Sequence, residues 1–171
     1  MAGSVKTDPL TGEVRMMSNN LQRKRQFHLN IDSYLKTLSM LVGRCVEQNE
    51  LSSIDLMEEV RTSASRLSEK DKTTFRTRVD ELNSTRFMNF VDELNKKNSS
   101  KIYIWLEKTN HCGLFKCNSL LDIKYQHVLD SVSDGVIVFL TDNLTDKLLI
   151  DFDDAHLEIE VQGENWHNVK F

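Results

Sequence analysis

Five carboxylates fall within ten residues near the end of this 171-residue chain: Asp151, Asp153, Asp154, Glu158 and Glu160. Their neighbours alternate with them. Leu148, Ile150 and Phe152 share one parity, and Leu157, Ile159 and Val161 share another. A strand sends successive side chains to opposite faces. Asp151, Asp153, Glu158 and Glu160 are therefore expected on the face opposite the apolar residues, with Asp154-Ala155-His156 as the turn between two paired strands. Like charges on adjacent strands destabilise a sheet, so the pattern points to something that offsets them: a basic protein surface or a hard cation. A solvated face, or an edge strand kept soluble by charge, gives the same pattern.

The cation version has a known chemical form. Metal-dependent nucleases hold Mg²⁺ between an Asp on one strand and Glu-x-Lys on the next. Here Asp151 or Asp153 is followed by Glu158-Ile159-Glu160, without the lysine. His111, Cys112 and Cys117 offer soft ligands, but a closed zinc site needs four, and the fourth must come from a distant His127, His156 or His167. Cys112 or Cys117 with a distant histidine is formally a nucleophile pair, although no activating neighbour stands beside either. No metal or cofactor is expected. Arg23-Lys24-Arg25 with His28 forms a basic cluster suited to phosphate contact; a solvated helix face also carries such residues. The chain has no Gly-x-x-x-x-Gly-Lys, Gly-x-Gly-x-x-Gly, Gly-x-Ser-x-Gly or His-Glu-x-x-His motif. Nucleotide-driven chemistry and the common hydrolase designs are therefore not expected.

The elements that must position these groups follow from apolar spacing. Leu21, Phe27, Ile31, Leu35, Leu38, Val42 and Cys45 predict a helix over 20–48, with Cys45 on its buried stripe and Gly43 as a close contact or a break. A second helix is predicted from Ser52 or Ser53, with Asp55 near its positive end. A third is predicted from a capping box at Ser68, through Phe75, Val79, Leu82, Phe87, Phe90 and Leu94, to about Lys97, with a bend at 83–85. The period then changes. Lys101 to Lys108 alternates as a strand, and Leu114 to Cys117 is a short second one. A helix of about three turns is predicted from Leu121 to Val132, capped by Asn118 or Ser119 and stopped at Ser133-Asp134-Gly135. Val136 to Thr141 is apolar on both faces and reads as a central strand. Trp166, Val169 and Phe171 return the C-terminus to the core.

The predicted class is α+β: a helical region of about three helices over 18–98, then an acidic α+β domain over 101–171 with four to five antiparallel strands and one helix. Residues 1–17 read as a flexible leader with a turn at Asp8-Pro9-Leu10-Thr11-Gly12. Composition is near the globular average, 39% hydrophobic and 28% charged with one Pro and six Gly, which excludes low-complexity and collagen-like chains. Three cysteines do not make a disulfide framework. No run approaches the ~20 apolar residues of a membrane span, and the first residues lack a signal peptide's apolar core, so the expected home is the cytoplasm.

The net charge of −4 is unevenly spread. Residues 1–100 carry 16 Lys+Arg against 14 Asp+Glu, and residues 101–171 carry 6 against 12. The C-terminal half repels nucleic acid and attracts a basic partner. A strand and helix followed by an antiparallel meander with an acidic face resembles, in general style, the small bacterial inhibitor and immunity proteins. That resemblance implies a binding function and names no partner; the basic partner expected from the acidic face is a toxin or nuclease. The leading expectation is thus a non-enzymatic binding module using Asp151, Asp153, Asp154, Glu158 and Glu160, with Trp105 or Trp166 as aromatic anchor. The alternatives are a metal-dependent hydrolase on the same carboxylates and a nucleic-acid-binding regulator using Arg23, Lys24 and Arg25. The long helices also suit a homodimer.

Overall fold

A computed structural model describes residues 9–67, 71–131, 135–153 and 156–171. The first helix, α1 (Pro9–Val42), has 34 residues and spans about 51 Å. It begins within the predicted leader: Pro9 stands at its first position, where a missing N–H costs nothing. Gly43, at φ +67°, ends it, because that left-handed conformation suits a residue without Cβ. The predicted stripe therefore stops at Val42, and Cys45 lies exposed in the following loop rather than in the core.

Helix α2 (Ile54–Ala64) starts as expected, with Ser53 Oγ accepting a hydrogen bond from Leu56 N. Such a cap contributes about 1 kcal/mol. The predicted third helix is three different elements. Its Ser68 start lies outside the described residues. Lys72–Arg78 is a strand, β1, and Val79–Asn83 is a 3₁₀ turn. Only Thr85–Lys97 is helical, as α3, capped by Ser84 Oγ accepting from Phe87 N. The three threonines of Lys72-Thr73-Thr74-Phe75-Arg76-Thr77-Arg78 are stiff at χ1 and favour an extended backbone. The predicted bend at 83–85 is the boundary between these elements.

Five more strands follow: β2 (Ile102–Trp105), β3 (Phe115–Cys117), β4 (Val136–Thr141), β5 (Asp146–Asp153) and β6 (His156–Gly163), with one helical turn, α4 (Thr109–Cys112), after β2. The predicted three-turn helix from Leu121 is instead two 3₁₀ turns, Leu120–Asp122 and Tyr125–His127, then α5 (Val128–Ser131). Its predicted stop at Ser133-Asp134 lies outside the described residues. Ser119 does cap the first turn, accepting from Leu121 N.

All ladders are antiparallel, in the order β1-β6-β5-β4-β2-β3. The class is α+β, with six strands instead of four to five. The extra strand is β1, which comes from the segment expected to be purely helical. One face of the sheet, with Ile104, Phe139, Ile150 and Ile159 fully buried, packs in a single core with Tyr34, Leu38 and Leu41 of α1 and Phe87, Val91 and Leu94 of α3. Helical segment and sheet segment thus share one core. The C-terminus returns as expected: Trp166 and Val169 are buried, and Phe171 packs among Phe75, Phe87 and Phe90. On the other face, Met57 and Val60 of α2 cover Tyr103 of β2 and Leu140 of β4. Among the described residues, no helix is long and apolar enough to cross a membrane.

Candidate functional site

The β5–β6 ladder pairs two of the predicted carboxylates. Asp151 lies directly opposite Glu158, and both are exposed. Asp153 ends β5 opposite His156; Asp154 lies outside the described residues. The expected patch of four like charges is nevertheless not what the sheet presents. Strand β1 pairs with β6 so that Arg76 lies opposite Glu158 and Lys72 opposite Gln162. Glu160 is nearly buried, and its two oxygens are taken by Lys72 Nζ at 2.6 Å and Lys147 Nζ at 2.9 Å. Burial alone pushes the Glu160 carboxyl up, but the two ammonium groups outweigh it and hold it below its ordinary value. Glu160 is therefore a member of an internal ion-pair triad, not a free ligand for a basic partner.

Trp166 is also removed from the predicted surface. It is fully buried, and its Nε1 donates to Leu94 O at 2.9 Å. Its backbone N donates to Asp146 Oδ1 at 3.0 Å. Asp146 is a fully buried carboxylate that the sequence reading did not single out. It also accepts from Asn165 N at 2.7 Å, Asn165 Nδ2 at 2.8 Å, Asn98 Nδ2 at 2.7 Å and Thr145 Oγ1 at 2.8 Å. Burial pushes its carboxyl up, and these bonds overcome burial and leave it below the usual value. Asp146 ties the C-terminal turn to the start of β5.

The other aromatic candidate remains on the outer face. Register places Trp105, Val138, Leu149 and Glu160 in one row across β2, β4, β5 and β6. Trp105, Val138 and Leu149 are each half-buried, and Trp105 and Val138 pack at the margin of the area that α2 covers. The next row holds Val136, Asp151, Glu158 and Arg76. The outer face thus combines a partly open apolar strip, one exposed carboxylate pair and a basic edge. The alternation of Lys72, Thr74, Arg76 and Arg78 against Thr73, Phe75 and Thr77 was the available signal for that edge.

The basic cluster occupies a second, concave site. Arg23 and Lys24 line a groove of about 600 Å³, together with Phe27 and His28 of the same helix. Arg25 is not part of this lining. The facing wall is Ile54 and Glu58 of α2 with Asn110 and His111 of α4. Three bonds fix the walls. Tyr34 Oη, from α1, donates to Gly113 O at 2.9 Å and lies 2.9 Å from Thr109 Oγ1. Ser52 N donates to Leu114 O at 2.8 Å, which holds the start of α2 beside α4. Gly113 has φ +94°, and a Cβ there would sit 2.3 Å from Ser52 O.

His111, Cys112 and Cys117 do not converge. His111 is exposed in the groove, whereas both thiols are buried. Burial pushes the Cys112 thiol up to about 11 and the Cys117 thiol up to about 12, so both are protonated and poorly nucleophilic at neutral pH. Among the described residues, no three His, Cys, Asp or Glu side chains group as metal ligands. Comparison with protein-family models, curated proteins and solved structures finds no match to this chain.

Proposed function

We propose that this chain is a non-enzymatic protein-binding module that takes a basic partner on the outer face of its sheet. The observation that carries the reading is the exposed Asp151–Glu158 pair, set directly across the β5–β6 ladder beside the half-buried strip Trp105, Val138 and Leu149. Two like charges in register cost the free protein stability, a cost that Arg76 opposite Glu158 reduces and a basic partner reduces further on binding. The apolar strip supplies area, and Trp is the residue type most often found at energetic hot spots. Complementary charge speeds the encounter and selects the partner. The finer reading is an inhibitor or immunity type of protein, acting in the cytoplasm on a toxin or nuclease. The hydrolase alternative is less well supported, because Glu160 already spends both oxygens on lysines.

The test is affinity capture from the source organism's lysate with wild type and with Asp151→Lys/Glu158→Lys, after both are shown to fold. One basic protein retained by wild type, absent from the variant and released by salt is the expected result. The same proteins on both baits contradict the reading.

A further inference from the structure

We infer that the groove between α1 and the α2–α4 pair is a binding site for a nucleobase-bearing phosphate, separate from the outer sheet face and independent of its role. The charge in it is unbalanced. Among the described residues, no hydrogen bond or ion pair engages Arg23 or Lys24, while Glu58, the carboxylate of the lining, is bonded to Arg61 at 2.5 Å. An anion entering the groove therefore meets two cations whose charge nothing described offsets. A guanidinium presents a planar fork that matches two phosphate oxygens, and an ammonium adds a point charge beside it.

The remainder of the lining is suited to a flat, hydrogen-bonding body rather than to a bare ion. Phe27 is half-buried on the α1 wall, with the His28 ring 5.7 Å away and nearly perpendicular to it. His111 adds a third ring from the opposite wall, and Asn110 offers an amide with both donor and acceptor. Bases stack on aromatic and imidazole rings, and amides read their edges. The groove volume of about 600 Å³ falls within the range of small-molecule sites, roughly 300–1,000 Å³. A cationic wall, stacking rings and an amide within one concavity are the features that recognise a nucleotide, whether free or as a residue of a single strand.

The two sources separate in one experiment. Fluorescence anisotropy would follow a labelled single-stranded RNA of about 12 nucleotides. Calorimetric titration would follow the four free ribonucleoside monophosphates, with inorganic phosphate and poly-glutamate as controls. Each is run on wild type, Arg23→Ala/Lys24→Ala and Phe27→Leu. The proposal expects wild type to bind the strand, the monophosphates or both. Binding of monophosphates identifies a free nucleotide, and binding of the strand alone identifies a single-stranded nucleic acid. The double variant is expected to lose about tenfold or more, with a smaller salt dependence, and Phe27→Leu about tenfold. Arg23 and Lys24 are exposed, so their replacement leaves the melting midpoint in place, and that variant decides the matter if Phe27→Leu folds poorly. No binding by either probe, equal binding by wild type and the double variant, or displacement by poly-glutamate as effective as by nucleotide would overturn it.

Discussion

The outer sheet face and the α1 groove carry charge of opposite sign, and they differ in how far the fold itself answers that charge. On the sheet, β1 and β5 bring lysines to Glu160, so one of the carboxylates is neutralised within the molecule. Among the described carboxylates of the patch, Asp151 and Glu158 stand exposed, with Arg76 across from Glu158 on the next strand. In the groove, Arg23 and Lys24 meet no partner among the described residues, and the nearby Glu58 is occupied by Arg61. A cluster of like charge in a sequence thus says little about free charge until the non-local neighbours are known.

Substitutions sharpen this difference between answered and unanswered charge. The largest effect is expected where charge is buried and fully bonded. Asp146→Ala removes a carboxylate that accepts five hydrogen bonds, and should lower the unfolding free energy by about 3–5 kcal/mol, read from urea denaturation. Glu160→Gln is expected to cost less, about 1–3 kcal/mol, because Lys72 and Lys147 keep some solvent contact.

The same two groups set the acid response. Both folded-state pKa values lie below the ordinary values of 3.8 and 4.5. Their contribution is therefore present above those values and is lost as pH falls through the depressed ones. Wild-type stability should hold down to about pH 4.5 and then decline, and Glu160→Gln should flatten that decline; a thermal melt series in acid reads both.

The exposed charges behave oppositely. Asp151→Asn relieves a like-charge pair and should leave stability unchanged or raise it by a few tenths of a kcal/mol. The smallest effect belongs to Leu21 and Leu29, exposed at 68% and 67% on α1. If they join two copies along that helix, the melting midpoint rises with protein concentration in wild type but not in Leu21→Ser/Leu29→Ser.

The parts of this arrangement that were legible in the sequence are the local ones. The alternation of β5 and β6 was readable because each strand buries one parity against the core, and β4 was readable as a central strand from its unbroken apolar run. Ser53 was readable as a cap because capping is a contact across three residues. Strand β1 was not, because Phe75, Val79 and Leu82 also fit a helical spacing. What fixes that segment as a strand is its ladder with β6, such as Phe75 with Ile159, far along the chain. The same omission made the acidic face look unbalanced, since Lys72 and Arg76 were assigned to a helix. For Trp166 both a core and an anchor role fitted the sequence, and what decides for the core is its indole bond to Leu94 O, which lies in α3. The cations at Arg23 and Lys24 were visible, but the facing Asn110 and His111 were not, because packing of α1 on α4 brings them there.

The most direct test of the central claim is the equilibrium dissociation constant of the captured basic partner, measured at low and moderate salt. Wild type is compared with Asp151→Lys/Glu158→Lys and with Arg23→Ala/Lys24→Ala. The account predicts that the sheet-face variant weakens binding at least about tenfold and loses most of its salt dependence, while the groove variant binds as wild type does. Equal affinity for wild type and the sheet-face variant, or loss only in the groove variant, would contradict it.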